Sequence, residues 1–526
     1  MTTKVPVELS STPGIVDGSN ATAITIDSSE NVTLTGTVNG FGLKTFGTHS
    51  FLISEDGTTG TIDDAQYNVG FGVNVFEALT SGDQNTGIGG FAFEALTTGT
   101  NNTAVGLNGL RALTTGTNNT TVGSLSLRTN TTGASNTSLG YAALNANTTA
   151  SNNTAIGSEA LTANTTGTRN VAVGALALTS NTTANDNVAV GGGTSGVSFA
   201  ALQSNTTGAN NTAVGNGALG ANTTASANSA FGYATLLDNT TGAANTALGK
   251  DALRANTTGS YNIAVGTDCL TANTTGHSNT SMGLDSMISN TTGFANTAVG
   301  FQTLTNGNNS YNAAFGYQAL AASTSGQQNT AIGYQSCVAL TTALYNSALG
   351  LQSGRDVTSG SDNVFVGYRA GDGPSPSGSI TTQSNNIVIG NNSSTNAYIK
   401  IDWTVTSDKR DKTDIEPLTM GLDLVNKLNP VTYRWDMRSD YEDGKPNGTH
   451  KKEKLSGGLI AQDVEVLERE YGYKVEDKTS ILTDKNADGN YGLTYSKFVP
   501  VLINAVKELS SQVDELKAEI QTLKGE

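Results

Sequence analysis

One pair of residues in this chain stands out as a nucleophile with a base, the combination that peptide cleavage requires: the hydroxyl of Ser407 and the amine of Lys412. They lie in the run Thr406-Ser-Asp-Lys-Arg-Asp-Lys-Thr-Asp-Ile415. A lysine accepts a serine proton only when neutral, so burial or like charge must lower its pKa by several units from the ordinary value of ~10.4. Five residues apart, two side chains diverge on a helix and face opposite sides of a strand. On spacing alone, a solvated polar turn is therefore the simpler reading of this stretch.

The elements around the run change character at that point. Residues 407–526 hold 18 basic and 23 acidic groups in 120 positions, whereas the 406 residues before them hold 10 and 21. Two such compositions seldom share a core, which puts a domain boundary at or beside Ser407. The chain as a whole is 36% hydrophobic with 62 Gly, too poor in apolar residues for conventional cores and suited to a repeat or fibre architecture. Its net charge of −16, with no basic stripe, argues against a nucleic-acid partner. No opening segment has the features of an export signal, and no apolar run approaches the ~18–20 residues of a membrane span. Synthesis in the cytoplasm without membrane insertion is expected.

From residue 68 a unit recurs, clearest in Asn153-Thr-Ala-Ile-Gly157, Asn211-Thr-Ala-Val-Gly215 and Asn296-Thr-Ala-Val-Gly300. Its glycines fall every 17 residues from Gly72 to Gly191 and, after a seven-residue insertion, from Gly215 to Gly300. After one deletion they continue from Gly316 to Gly367, and Gly390 closes a displaced last copy. Nineteen copies of Asn-Thr-Ala-(Val/Ile/Leu)-Gly-x-x-Ala-Leu followed by a Thr-Thr-Gly-type turn imply a mainly β fold, a β-solenoid or β-roll with two short strands per unit. The unit length and the Gly-Thr-Asn density exclude an α-solenoid.

The expected inward set, such as Ala155, Ile156, Ala160 and Leu161, is thin. Stacking is then obligatory, and trimerisation that pools three thin cores is attractive. Stacked coils rise ~4.8 Å each, so the array makes a rod roughly 90 Å long.

Residues at one repeat position become ladder neighbours, which places Glu94 beside Arg111 and aligns Asp251, Asp268 and Asp285. The aspartates read as solvated acids, because one carboxylate per coil is too few for an oxygen-ligated cation. No metal and no cofactor is expected. Cys269 and Cys337 each take a small-residue slot in a repeat and read as packing residues.

Residues 1–67, with β-like runs at 23–27 and 32–35, are expected to cap the array or attach it to a larger assembly, and residues 391–406 to be a connector. Beyond Ser407, Pro417 opens an expected helix bearing Leu418, Leu422, Val425 and Leu428. Val431, Tyr433 and Trp435 alternate as a strand, and a helix bearing Ala461, Val464 and Leu467 follows. The run from Asp484 to Gly489 resembles the start of a Ca²⁺ loop but has Tyr495 where a bidentate Glu belongs, so it reads as a hairpin turn. Leu502, Val506, Leu509, Val513, Leu516, Ile520 and Leu523 are spaced as heptads, predicting a short coiled coil over about 500–524.

The Asn-Thr-Ala-(Val/Ile)-Gly unit of residues 68–390 resembles the head repeats of trimeric autotransporter adhesins, which implies a trimeric, left-handed β-roll rod. A second resemblance rests on Ser-Asp-Lys-Arg-Asp-Lys-Thr-Asp-Ile (407–415), Pro-Val-Thr-Tyr-Arg-Trp (430–435), Gly-Leu-Ile-Ala-Gln-Asp-Val (458–464) and the terminal heptads. Together these look like the endosialidase-type intramolecular chaperone, a self-cleaving C-terminal module of phage tail spikes and fibres, here spanning 407–526. The resemblance implies that Ser407 is the nucleophile and Lys412 the base of a Ser-Lys dyad, supported by Asp408, Arg410 and Gln462. Asp411 departs from the pattern, where an apolar residue often stands.

The expected function is a phage-type tail fibre or host-attachment adhesin, located on the virion, whose last domain drives trimerisation and then removes itself by autoproteolysis. Expected partners are two further copies of the chain, virion proteins at the N-terminal segment and a host surface glycan or protein. A polysaccharide-degrading tail spike would need paired carboxylates in an aromatic cleft, and the chain has only two Trp, Trp403 and Trp435. An ice- or surface-binding solenoid would need flat threonine arrays, which adjacent threonines on opposite strand faces do not form.

Overall fold

A computed structural model describes residues 24–26, 32–34, 37–38, 41–46, 49–54, 64–196, 198–373, 375–394, 396–400, 404–486 and 489–525. Trp403 lies outside them. The fold is mainly β, a parallel β-solenoid of about 18 turns with few helices. The chain divides into two compact units, Met1–Gln328 and Asn329–Glu526.

In the first unit fifteen three-residue strands run from Val69–Phe71 to Ala313–Phe315, each paired in parallel with the one before it. Partners are 17 residues apart in the regular part of the ladder, as in Thr137↔Thr154 and Ala155↔Ala172. The seven-residue insertion is absorbed outside the strands, so that Ala189 still meets Ala213. At the start, the antiparallel hairpin of Phe41–Phe46 and Ser50–Ser54 adds in parallel to the first coil, with Phe51 opposite Val69. The hairpin covers an edge that would otherwise present unpaired backbone groups.

Each coil contains one strand, where two were expected. Beyond the glycine the backbone turns left-handed at alternate residues, as at Glu159 (φ 57°) and Leu161 (φ 52°). The Gly-x-x-Ala-Leu segment therefore coils where an extended ladder was expected. Left-handed backbone is disfavoured for β-branched side chains, and the residues found at these two positions are Leu, Phe, Ala, Asn, Gln, Glu, Asp and similar unbranched types. Glycine at the end of the strand has a separate cause. Gly157 has φ 139°, and a Cβ there would sit 2.5 Å from the carbonyl group of Gly174 in the next coil.

The inward set also differs from expectation at one position. Ala155, Ala160 and Leu161 are fully buried, but Ile156 faces outward, because in a three-residue strand only the middle residue can point in. The volume is made up by buried asparagine, one at the strand entrance of each coil of the first unit, as at Asn153, and from Asn130 to Asn290 a second at the turn, as at Asn164. One ladder stands at the strand entrance. Asn102 donates its backbone N–H and its Nδ2 to Asn85 Oδ1 (both 3.0 Å) and Nδ2 to the Gly116 carbonyl (2.9 Å). Its own Oδ1 accepts the same pair of bonds from Asn119. The other ladder closes the Thr-Thr-Gly turn, with Asn164 Nδ2 donating to Asn147 Oδ1 and to the Gly167 carbonyl (both 3.0 Å). Each amide thus satisfies its own coil and the next, which makes its burial tolerable. Where a residue is deleted after Asn290, that ladder stops and the buried Asn290 Oδ1 has no partner.

Remaining ladder positions fall as their chemistry requires. Arg111 Nε is hydrogen-bonded to Glu94 across adjacent coils. Asp251, expected as a solvated acid, is instead buried, and it is paired with Lys250 and Arg254 at 3.3 and 3.5 Å. Among the described residues no group of three or more His, Cys, Asp or Glu is placed to hold a metal. Cys269 and Cys337 are free, fully buried thiols, and burial pushes them up to about 11 and about 12 respectively.

The second unit contains four further solenoid strands, from Thr330–Ile332 to Ile387–Ile389, and a small α+β domain. In that domain α1 spans Leu422–Lys427, α2 Ala461–Glu470 and α3 Phe498–Leu523. Met420, Leu424, Val464, Leu482, Phe498 and Val501 form its core. The strand Val431–Tyr433 pairs antiparallel with Ser456–Gly458, and Thr483–Lys485 with Tyr491–Leu493. The run read as a hairpin turn joins the second pair, although its Ala487 and Asp488 lie outside the described residues.

The expected helix from Pro417 begins only at Leu422, because the preceding segment is strapped to α3. Asn504 Nδ2 donates to the Leu418 carbonyl (2.9 Å), and Glu508 Oε2 accepts the Leu422 N–H (2.7 Å). A side chain at Gly421 would collide with the Glu508 carboxylate. The buried carboxylate of Glu468 organises the far side of the domain. It accepts the N–H groups of Ile481 (2.9 Å), Leu482 (2.7 Å) and Thr483 (2.9 Å) and the Thr483 hydroxyl.

Two outcomes follow from these networks. Asn228→Ala removes the acceptor for the Asn245 N–H (2.9 Å) and the donor to the Gly242 carbonyl (3.0 Å). At about 1–3 kcal/mol per orphaned buried group, limited proteolysis should cut first at that coil. Glu468→Gln keeps one oxygen for the Ile481 and Leu482 N–H groups but sets its NH₂ against the Thr483 N–H and hydroxyl. It should lower domain stability by about 2 kcal/mol or more, with the loss visible as faster hydrogen exchange at Ile481–Thr483.

Candidate active site

Neither a helix nor a strand joins Ser407 to Lys412. Between them lies a single 3₁₀ turn, Lys409–Asp411, flanked by extended residues at Asp408 (φ −70°, ψ 134°) and Lys412 (φ −123°, ψ 139°). Extended, one tight turn, extended again: this path folds the chain back on itself and sets Lys412 Nζ 2.5 Å from Ser407 Oγ. Spacing considered on regular elements alone missed this, because a turn of three residues obeys neither the helical nor the strand period.

The turn is built by its own charged side chains. Asp408 is the N-cap, its Oδ1 accepting the Arg410 N–H at 2.9 Å. Its carboxylate is then gripped by the Arg410 guanidinium, with Nη2 2.6 Å from Oδ2 and Nε 3.1 Å from Oδ1. The Lys412 N–H closes onto the Lys409 carbonyl at 3.2 Å. Arg410, through its side chain first and its backbone N–H second, holds the Asp408 carboxyl below the ordinary carboxylate value, and Asp408 in turn raises Arg410.

Four of the five residues singled out from the sequence therefore share one turn: Ser407, Asp408, Arg410 and Lys412. The fifth, Gln462, is the second residue of α2 and is exposed, and no hydrogen bond joins it to the other four among the described residues. Ser407, Lys412 and Asp411 are all exposed in the single chain. In this geometry the ammonium donates to the hydroxyl. With the amine neutral the same contact runs in reverse, the hydroxyl donating to Nζ, and the oxygen becomes a nucleophile. A separate pocket of about 200 Å³ lies between α1 and α2, lined by Lys427, Leu428, Asn429, Leu459, Ile460, Asp463, Val464 and Leu467, with neither dyad residue among them.

Sequence reasoning missed Glu468, whose carboxylate ties α2 to the 480–483 loop. Its only trace in the sequence is an acidic residue at Glu468 on the same helical face as Val464. No curated protein matches the chain. The family model described as "chaperone of endosialidase" matches residues 407–473, beginning at the serine of this turn. The match stops short of 474–525, yet residues from both parts share the core of the domain. A chaperone-of-endosialidase domain of a serine-peptidase family thus stands C-terminal to a β-solenoid of 17-residue repeats, an arrangement that fits a tail fibre carrying an endosialidase-type intramolecular chaperone.

Proposed function

We propose that the chain is a homotrimeric, phage-type tail fibre for host attachment, and that residues 407–526 align its three copies and then cut themselves free through Ser407 and Lys412. The observation that carries the cleavage step is the 2.5 Å contact between Nζ and Oγ at the first residues of the chaperone match.

In this reading neutral Lys412 takes the Ser407 hydroxyl proton, and Oγ attacks a carbonyl carbon. The carbonyl that Oγ reaches through an unstrained, five-membered ring is that of Thr406, whereas its own would require a four-membered one. The Oγ–C bond forms and the Thr406–Ser407 C–N bond breaks. Lys412 returns its proton to the leaving amine, and water then hydrolyses the resulting ester. The single chain leaves both side chains in solvent. Packing of further copies over the turn is the step that would exclude water, favour the neutral amine, and so make cleavage follow assembly.

The rod explains why an alignment step is useful. Its coils are nearly identical, so parallel copies have many registers of similar energy. Exposure of the heptad face of α3 supports self-association. Val506, Leu509 and Leu516 are 65%, 49% and 56% exposed, while the domain core uses Phe498, Val501 and Ala505 from another face of the same helix. After release the rod would persist because its unfolding is slow. The N-terminal hairpin end is the candidate for virion attachment, and the rod surface for a host glycan or surface protein.

Intact-mass analysis with light scattering tests the reading. Wild type should give a trimeric rod and a separate C-terminal fragment beginning at Ser407. Ser407→Ala and Lys412→Ala should each leave a chain of 53.8 kDa. Lys412→Arg should fail equally, because a guanidinium is effectively never neutral. Normal cleavage by Lys412→Arg would remove the lysine from the mechanism.

Asp408 allows a second test with a definite sign in pH. Its carboxyl is depressed in the folded turn, so the stabilisation it contributes is present above the unfolded carboxylate pKa and is lost as pH falls through the lower folded value. Asp408→Ala should slow cleavage at neutral pH. Asp408→Asn keeps the N-cap acceptor and should recover part of the rate without the acid-side dependence.

A further inference from the structure

The outward residues of the solenoid strands carry a pattern that the packing of one chain does not use. In the first unit each strand buries its middle residue and turns the two others out, as in the exposed–buried–exposed Thr137–Leu139. The outward residue just before the glycine is apolar in all fifteen strands, among them Phe71, Ile88, Leu139, Phe231, Leu248 and Met282. Phe71, Leu139 and Leu248 are 55%, 46% and 50% exposed. The outward residue at the other end of the strand is Thr, Ser, Val, Ile or Ala and is never charged. The column just after the glycine is not uniform: Leu107, Tyr141, Tyr233 and Leu284 alternate there with Ser124, Ser158, Asn216, Lys250 and Thr267, so it has polar and charged breaks that the strip lacks. Scattered exposed apolar side chains need no explanation, but a contiguous strip does.

We infer that this strip is the face along which copies of the chain pack side by side, parallel, within the fibre. The inference rests on the trimer reading above and adds the surface that the trimer uses. Three observations favour a second copy as the occupant. Coils stacked at ~4.8 Å form a grid, and a parallel copy of the same rod has that period along its whole length by identity. The chain carries a net charge of −16, so like-charged copies approach at lowest cost where neither bears charge. The size is also right: a strip roughly 70 Å by 10 Å, from strand rise and strand spacing, is on the order of 700 Å², close to the ~800 Å² that each partner buries in a stable interface.

A face that repeats at every coil does not set register, since a slip of one coil again opposes apolar to apolar. Register must come from a part of the chain without that repeat, which is the role assigned above to residues 407–526.

The test uses the full chain. Ile156→Glu with Val173→Glu puts two charges into the strip, and Ser158→Glu with Ala175→Glu puts two into the column after the glycine. The strip variant should lose the trimer, its mass by light scattering falling to one third with β-sheet circular dichroism retained, while the control stays trimeric. If the strip variant aggregates, Ile156→Cys in an otherwise unchanged chain decides the matter, since both native cysteines are buried. A short bismaleimide should join Ile156→Cys copies and leave Ser158→Cys copies unjoined. Trimers from both glutamate variants, or cross-links at Ser158→Cys only, overturn the face while leaving the trimer in place. A monomeric wild type overturns both.

Discussion

The buried asparagine amide is the interaction on which the rod depends. A coil of three-residue strand and left-handed turns encloses only a few alanine and leucine side chains, and its backbone turns inward carbonyls that no strand partner reaches. Asparagine meets both needs, because one amide carries donors for its own coil and the adjacent one and an acceptor for the next. The solution works only in a stack of identical coils. Substituting one amide affects two neighbours, and the deletion after Asn290 shows what a broken period leaves behind, an orphaned buried oxygen.

That dependence shapes everything downstream of the rod. A structure made of interchangeable coils is cooperative along its axis but indifferent to register across it. The C-terminal domain is its opposite: short, charged, aperiodic and held by single-copy contacts such as Glu468 to the 480–483 loop and Glu508 to Gly421-Leu422. A part of the chain held by such single-copy contacts has one best arrangement, which the repeated coils do not. The serine turn sits at the seam between the two compositions.

The dyad shows how a local charge pattern substitutes for regular structure. Nothing in Ser407-Asp-Lys-Arg-Asp-Lys412 would form a stable helix or strand. The Asp408 carboxylate nevertheless caps the turn and clamps Arg410, and the backbone is left with one route that returns Lys412 to Ser407. Positioning by exposed ion pairs is soft, so the contact between Lys412 and Ser407 is held by the turn and not by a packed core.

The sequence by itself determined the period and the mainly β, stacked architecture, because these follow from repetition and composition. It also placed the Glu94–Arg111 pair and the buried cysteines, since a fixed period makes ladder neighbours calculable. Tertiary structure alone decided the cross-section of the coil. Whether Ala-Leu forms a second strand or a left-handed turn depends on what the neighbouring coil's carbonyls accept, and Ile156 faces out only because the strand is three residues long. The same holds at the site: a 3₁₀ turn has no sequence period, so spacing does not bring Lys412 to Ser407, and the turn capped by Asp408 does. Glu468 and Glu508 were illegible for a related reason, because an acidic residue on a helix reads as solvated surface until a distant backbone segment brings its N–H groups to it.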